Sequence, residues 1–461
     1  MEKWLPAALE YVPRWIEFQM RHGEQPGCVI AIAHNGRMVL ERAFGRVDIR
    51  RSVPLTPRHR FRVASHSKSF TAAGVMKLRE QGRLRLDDEV GRWVDGLHPA
   101  IARTTIGQLL SHSAGIVRDG ADSGHWLDRR PFLDAPALRA ALAEAPVIDA
   151  NSRFKYSNHA YGLVGLVIEA VTGEPYRSWI RRAVIEPAGL EATDPDMPVG
   201  ARVPLARGHS GRLPLGHRVV IPGDGPTYAL APATGFVSTA GDLARFFAQL
   251  DPAARRSVLS VASRREMVRQ QWRDPHTTME RYYGLGIASG RLSDWEWFGH
   301  SGAFQGFISR TAVFPDPGFV ISIVTNAVDG PAYQWLDGVV HILRAFARHG
   351  APDRTVRSWS GRWWSLWGAI DLLPMGRKVV IANPVLANPL MEASDITVTG
   401  RDRGRVSRAT GAGHHGEQVR RVRRDGRLSA LWLAGIELRP EAKVAAELAK
   451  RYDRRRRPMG R

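Results

Sequence analysis

Arg62-Val63-Ala64-Ser65-His66-Ser67-Lys68-Ser69-Phe70 is the stretch from which the rest of the chain is read. Ser65 and Lys68 form an S-x-x-K pair. After it Phe70, Ala73, Gly74 and Leu78 recur at helical spacing, and Gly82 ends the run. A helix is expected, with Ser65 in its first turn. Positions i and i+3 share a helix face, with Cβ atoms roughly 5–6 Å apart, so an amine at 68 can reach a hydroxyl at 65. The helix N-terminus adds unpaired N–H groups and the positive end of a dipole, which favour an alkoxide or oxyanion. A chain this long holds on the order of one S-x-x-K by chance, so the other segments must decide.

Upstream, Leu5, Ala8, Leu9, Val12, Trp15 and Ile16 form a helical stripe that stops near Gly23, with Pro6 in the opening turn and Pro13 as a kink. Cys28 to His34 reads as an apolar strand, and Arg37 to Phe44 as its return across an Asn35-Gly36 type I′ turn. Downstream, residues 85–190 look mostly helical. Thr105 or Thr104 caps one helix, and Tyr161 to Val171, closed by Gly173, is buried all round. Ser238 to Asp242 starts another. Strands return at Tyr283–Ser289, Trp295–Phe298, Phe307–Phe314 and Phe319–Thr325, and a helix follows over 331–347. Strands at both ends with helices between imply one antiparallel sheet built from both ends of the domain, flanked by helices with an inserted helical region: an α/β (α+β) architecture.

The expected domains are 1–348, a linker at 349–353, a small antiparallel β-barrel over 354–440, and a basic helix or tail over 441–461. The barrel rests on short β-type runs at Val379–Ala382, Ile396–Thr399, Gln418–Val422 and Leu428–Leu433, with a turn at Asp425-Gly426. Trp359, Trp363, Trp364 and Trp367 are expected to fill its core.

The net charge is +21. Residues 351–461 carry 23 Lys+Arg against 11 Asp+Glu and end in the basic run Arg451–Arg457. The arginines are scattered and not interleaved with aromatics, so they read as a solvated surface rather than a nucleic-acid footprint. Cys28 is the one cysteine, which excludes an intrachain disulfide. No signal-peptide pattern opens the chain and no apolar run nears ~20 residues, so no membrane span is expected and the location is read as cytoplasmic. His112, His414 and His415 lack metal-ligand context, and neither a metal nor another cofactor is expected.

Two further segments join Ser65 and Lys68: Tyr156-Ser157-Asn158, and His300-Ser301-Gly302 within Phe298-Gly-His-Ser-Gly-Ala-Phe-Gln-Gly-Phe307. Their order and spacing resemble the serine β-lactamase and penicillin-binding-protein superfamily. The Y-x-N and H-x-G forms resemble its class C branch, with D-aminopeptidases, D-amino-acid amidases and esterases. Gln25-Pro26-Gly27, Leu109 to Ile116 and Gly235 to Thr239 match in style, so the resemblance covers roughly residues 10–347. The C-terminal segment resembles, more vaguely, lipocalin-like barrels appended to such hydrolases.

The resemblance implies a β-lactamase-like fold and a serine hydrolase acting through a Ser65 acyl-enzyme. A serine hydroxyl needs a base. Lysine (pKa ~10.4) and tyrosine (~10) must both be shifted to serve. Lys68 and Tyr156 are a coupled pair, and the residues leave open which is the base. Asn158 can orient Lys68 and donate to a substrate amide. Also by resemblance, the backbone N–H groups of Ser65 and Ala303 form the oxyanion hole, and His300, Ser301 and Gly302 join Asn158 in binding substrate. His300 replaces a permanent cation with a ring that is mostly neutral at pH 7. That weakens the β-lactam and carboxypeptidase readings and favours D-aminoacyl peptides or amides, or esters. The partner expected is thus a small-molecule or peptide substrate. A transpeptidase or peptide cyclase, a carboxylesterase, and a non-enzymatic ligand or nucleic-acid binder are the alternatives. Self-association as a homodimer stays open.

Overall fold

The computed structural model describes residues 2–453 apart from 276, 278, 411 and 412. The expected basic run lies outside the described residues from position 454 onward. The chain packs as two compact units. One spans 24–336, and the other joins residues of 1–23, including helix α1 (Leu5–His22), with those of 337–461.

The sheet of the larger unit is made of β1 (Gly27–His34), β2 (Arg37–Asp48), β3 (Arg51–Pro54), β4 (Trp272–Arg273), β5 (Arg281–Tyr283), β6 (Ala288–Leu292), β7 (Trp295–Phe304), β8 (Phe307–Phe314) and β9 (Phe319–Thr325). Every neighbouring pair is antiparallel, in the order β3-β2-β1-β9-β8-β7-β6-β5-β4. The first strand and the last therefore meet at the centre, Cys28 opposite Thr325 and His34 opposite Phe319. Asn35 (φ 50°) and Gly36 (φ 75°) both take the left-handed conformation that a type I′ turn demands. All eight residues of β1 are buried, so both of its faces are covered, which explains a run that is apolar without alternation.

Helix α2 (Ser67–Glu80) is buried from Ser67 through Met76 and runs through the middle of this unit. Helix α3 (Ile106–Leu110) opens on a capping box between Thr105 and Gln108. Helix α4 (Asn158–Thr172) is buried from Asn158 through Ile168 and is closed by Gly173 at φ +73°. Its cap is Ser157, whose hydroxyl accepts from the Ala160 N–H at 2.9 Å. That leaves the Asn158 side chain free of the capping task. Helix α5 (Ala240–Leu250), capped by Thr239, packs on β1 and β9.

One expected strand is corrected. Tyr283–Ser289 is two strands, β5 and β6, joined by a turn in which the Gly284 N–H donates to the Ile287 carbonyl at 2.8 Å. Tyr283, Leu285 and Ile287 alternate as a strand would, but Gly284 and Gly286 permit the reversal. Gly286 has φ +69°, and a Cβ there would come within 2.8 Å of the Lys68 carbonyl oxygen, so the turn lies against α2.

In the smaller unit, helix α6 (Ala332–His349) contributes its residues from 337 onward. Eight strands follow in sequence order: β10 (Gly361–Ser365), β11 (Gly368–Met375), β12 (Lys378–Ala382), β13 (Ser394–Gly400), β14 (Arg403–Arg408), β15 (Gln418–Arg424), β16 (Arg427–Leu433) and β17 (Ile436–Leu438). Trp364 and Arg439 exchange backbone hydrogen bonds of 2.9 and 2.8 Å, which join the two outer strands into a nearly closed barrel. Trp359 and Trp363 lie in its core with Leu372, Val379, Ile396 and Leu431. Trp367 does not: it is 87% exposed at the β10–β11 turn, which corrects the reading of all four tryptophans as core. Trp364 is half-buried. Helix α7 (Glu441–Tyr452) ends the described chain. No helix among the described residues is long and apolar enough to cross a membrane.

Candidate active site

Ser65 does not sit within α2 but in a 3-10 turn, Ala64–His66, that leads into it. Ala64 has φ +46°, a strained value for a residue with a side chain. The turn is held on all sides. The Val63 N–H donates to the Phe236 carbonyl at 3.0 Å, and the His66 N–H to the Val63 carbonyl at 3.2 Å. Ser67 Oγ donates to the Ala64 carbonyl at 2.5 Å and accepts from the Phe236 N–H at 3.0 Å. The Ser65 hydroxyl itself is half-buried.

Three groups converge on it. Lys68 Nζ lies 3.1 Å from Ser65 Oγ. The Tyr156 hydroxyl donates to the same oxygen at 2.8 Å. Asn158 stands behind Lys68: Nζ donates to Asn158 Oδ1 at 2.7 Å and to the Ala233 carbonyl at 2.8 Å. The lysine side chain is completely buried, with its nitrogen 4.7 Å from the Tyr156 ring centre. Burial pushes its pKa well below the usual lysine range; the Arg118 charge adds to this, and the Asp119 charge opposes it. Burial acts oppositely on Tyr156, raising its pKa and keeping it a phenol, though its bond to Ser65 pulls the other way.

These shifts make the hydrogen-bond count informative. A neutral lysine amine has two hydrogens and one lone pair. The hydrogens are claimed by two oxygens that only accept, Asn158 Oδ1 and Ala233 O. The lone pair is left for the Ser65 O–H. As an ammonium, Lys68 instead turns its third hydrogen to Ser65 Oγ, so the same contacts fit both protonation states, and only the neutral one takes the Ser65 proton.

Strand β7 passes beside this turn. Gly302 comes so close to Val63 that a Cβ would lie 2.8 Å from its carbonyl carbon and 2.9 Å from Ser309 Oγ. The two-residue turn Gln305-Gly306 makes Phe304–Phe307 the closing hydrogen-bonded pair, so Ala303–Ile308 is a non-bonded pair. The Ala303 N–H then points away from β8. On that side β6 extends only to the partner of Gly299, and the N–H is open. Strand alternation puts the Ser301 and Ala303 side chains on the opposite face from His300 and Gly302.

His300 is 4% exposed. Its Nε2 lies 2.9 Å from the Tyr283 hydroxyl, and its Nδ1 lies 2.8 and 3.0 Å from the Ser301 carbonyl and N–H. Burial, with the nearby His66 and Lys68, holds its pKa well below the ordinary imidazole value. The position is thus neutral and engaged within the chain.

Sequence reasoning missed four neighbours. Asp119 Oδ1 accepts from Asn158 Nδ2 at 2.7 Å and from Trp126 Nε1 at 2.9 Å, which fixes the asparagine amide. Arg118 bonds Asp119 through Nε at 3.0 Å and lies 5.5 Å from the Tyr156 ring centre. Tyr283 holds His300. His112 lies with its ring 4.1 Å from that of Tyr156 and accepts the Ser157 N–H at 3.2 Å through Nδ1. The fold assembles these contacts from separate segments, and only the stretch Leu109–Ile116 hinted at them. Among the described residues no group of three or more His, Cys, Asp or Glu could hold a metal ion.

Comparison with known proteins gives this geometry a setting. The chain is 29% identical over 191 residues to Protein flp of Staphylococcus aureus (strain N315); the match covers 40% of this chain and only 38% of that protein's length. Its fold is that of an octameric penicillin-binding protein homologue from Pyrococcus abyssi, with TM-score 0.66 at 22% identity, covering 93% of this chain and 99% of the other. A D-stereospecific amidohydrolase from Streptomyces sp. is similar with TM-score 0.60 at 27% identity, covering 72% of this chain and 97% of its own. The family model described as Beta-lactamase matches residues 12–339, well over half of the sequence and all of the segments that meet at Ser65. On that match the chain belongs to the Beta-lactamase family.

Proposed function

We propose that the protein cleaves D-aminoacyl peptides, amides or esters through an acyl-enzyme on Ser65. The observation that carries the reading is the placing of Ser65 Oγ between the buried Lys68 amine, 3.1 Å away, and the Tyr156 hydroxyl, 2.8 Å away. In this reading Ser65 Oγ attacks the substrate carbonyl and its proton passes to the Lys68 lone pair. The tetrahedral oxyanion is held by the N–H groups of Ser65 and Ala303; a donor of this kind is typically worth ~3–4 kcal/mol at the transition state. Tyr156 protonates the leaving amine or alcohol, and the proton on Lys68 restores the phenol. Water then attacks the Ser65 ester, giving the acid and free Ser65. Asn158 binds the substrate amide while Asp119 keeps its carbonyl oxygen turned to Lys68. His300, Ser301 and Gly302 form the strand edge along which the substrate lies. The D-preference is supported by the likeness to the D-stereospecific amidohydrolase. The eight-stranded barrel supports the lipocalin-like reading of the C-terminal segment.

The test is a paired assay with intact-mass readout. Wild type and Ser65→Ala meet p-nitrophenyl acetate, a D-alanine p-nitroanilide, its L-isomer and a chromogenic cephalosporin. Wild type is expected to gain one acetyl group and to turn over the D-anilide faster than the L-isomer, with Ser65→Ala inert. An adduct that persists in Ser65→Ala removes the nucleophile. Equal turnover of the two isomers removes the D-aminoacyl class.

Asp119 gives a pH test. Its charge favours protonated Lys68, and the amine must be neutral to take the Ser65 proton. Activity therefore falls as pH drops through the Lys68 pKa. Asp119→Asn lowers that pKa further, so the acidic limb of kcat/KM is expected to move to lower pH. A limb that stays put or moves up would dissociate Asp119 from the lysine.

A further inference from the structure

Two cations flank Tyr156, Arg118 against its ring and Lys155 just before it in the chain. Arg118 has its guanidinium 5.5 Å from the Tyr156 ring centre and its side chain 65% exposed. Its Nε is taken by Asp119, and among the described residues its two terminal nitrogens have no hydrogen-bond partner. Both backbone N–H groups that open α4, those of Asn158 and His159, donate to the Arg118 carbonyl at 2.9 and 3.3 Å. The arginine is thus anchored to the segment that carries Tyr156. Lys155 is the second cation. It is half-buried, its N–H donates to the His112 carbonyl at 2.7 Å, and its ammonium has no hydrogen-bond or ion-pair partner among the described residues. Burial first and then the Arg118 charge hold its pKa below the usual lysine value.

The carboxylate facing these groups is Asp119, already committed to Asn158, Trp126 and Arg118 Nε. Arg118, Lys155 and Asp119 together leave one uncompensated positive charge. The Arg118 charge opposes that of Lys155, and an anion bound by both would relieve the repulsion. At position 300 the expected cation is missing, because His300 is neutral and bonded to Tyr283.

We propose that Arg118, supported by Lys155, binds an anionic group on the leaving-group side of the substrate, so that the preferred substrates are D-aminoacyl compounds whose leaving amine carries a carboxylate. This rests on the function proposed above, in which Tyr156 protonates the leaving group; a cation against that ring lies where the leaving group departs. Arginine suits the task because its planar fork pairs with a carboxylate through two parallel N–H donors. The usual terminal-carboxylate cation of such sites is thereby moved from the β7 strand to the loop before α4.

The experiment compares D-alanylglycine with D-alanylglycinamide, which differ only in that carboxylate, for wild type, Arg118→Gln and Arg118→Lys, with thermal melts to confirm folding. Wild type is expected to favour the acid about tenfold in kcat/KM. Arg118→Gln is expected to cut the acid-to-amide ratio about five- to tenfold, mainly through KM for the acid, in line with a part-exposed charge-assisted pair. Arg118→Lys should keep most of the ratio, and 0.5 M salt should reduce it. A wild type that treats the two alike, prefers the amide or cleaves neither while still being acylated by p-nitrophenyl acetate overturns this proposal and leaves the acyl-enzyme reading standing. A ratio unchanged in Arg118→Gln overturns it too. A wild type that p-nitrophenyl acetate does not acylate at Ser65 removes the function reading, and this one with it.

Discussion

Lys68→Arg is expected to lower kcat/KM on ester and anilide substrates by about a thousandfold or more. Arginine is of similar length and offers donors to Asn158 Oδ1 and Ala233 O, but it brings a permanent positive charge. It cannot supply a lone pair to the Ser65 proton, because it stays protonated at any workable pH. Lys68→Met removes the amine altogether and should fall as far. The two variants differ in stability. Methionine leaves two buried oxygens without a donor, at a cost of about 1–3 kcal/mol each, partly offset because no amine need be buried. Burst amplitude with p-nitrophenyl acetate reads the acylation step directly. Lys68→Arg that retains more than a tenth of the wild-type acylation rate would shift the proton to Tyr156 and leave Lys68 as a mere electrostatic neighbour.

Gly302→Ala carries the second large effect. The added methyl has no space: it meets the Val63 carbonyl and Ser309 Oγ, and Val63 leads straight into the strained turn that holds Ser65. Backbone, unlike a flexible side chain, cannot swing aside, so either β7 or the Ser65 turn must shift. The Ala303 N–H is one residue on. A displacement of about 1 Å between it and Ser65 Oγ is expected to cost roughly a hundredfold in kcat/KM, with a loss of about 1–3 kcal/mol in stability. The combination is diagnostic, since acyl-enzyme formation should slow more than substrate binding weakens. A Gly302→Ala protein with wild-type acylation kinetics would show that the β7 edge does not bear on the oxyanion.

The closeness of Ser65 and Lys68 is legible in the sequence because an i, i+3 pair needs only a local turn to meet, whether that turn is α or 3-10. The β8–β9 hairpin and the type I′ turn at Asn35-Gly36 are legible for the same reason, since their chemistry is carried by adjacent residues. The turn at Gly284–Ile287 is hidden, because apolar alternation continues through it and only the approach of Gly286 to α2 demands it. Trp367 is misread because an aromatic next to three others looks like core; its place at a hairpin tip depends on the register of β10 against β11. Half of the barrel strands escape notice. In β14 arginines fill the outward positions 403, 405 and 408, and Val406 is its one buried side chain, too little to make a pattern. Asp119 and Tyr283 meet Asn158 and His300 across 39 and 17 residues of chain, and nothing short-range announces either contact.

The meeting of β1 with β9 sets the order of events on the ribosome. Cys28 is synthesised 297 residues before Thr325, its partner. At roughly 5–20 residues per second that is a delay of about 15–60 s. For all of it the most apolar strand of the sheet has its β2 neighbour on one side and an unpaired row of N–H and C=O groups on the other, an edge open to any nascent chain nearby. The sheet of the 24–336 unit therefore closes only when nearly all of that unit has been made. A ribosome that stalls before residue 319 releases a product with no seam to close, so expression yield should depend on elongation speed and on chaperone supply more than on the stability of the finished fold.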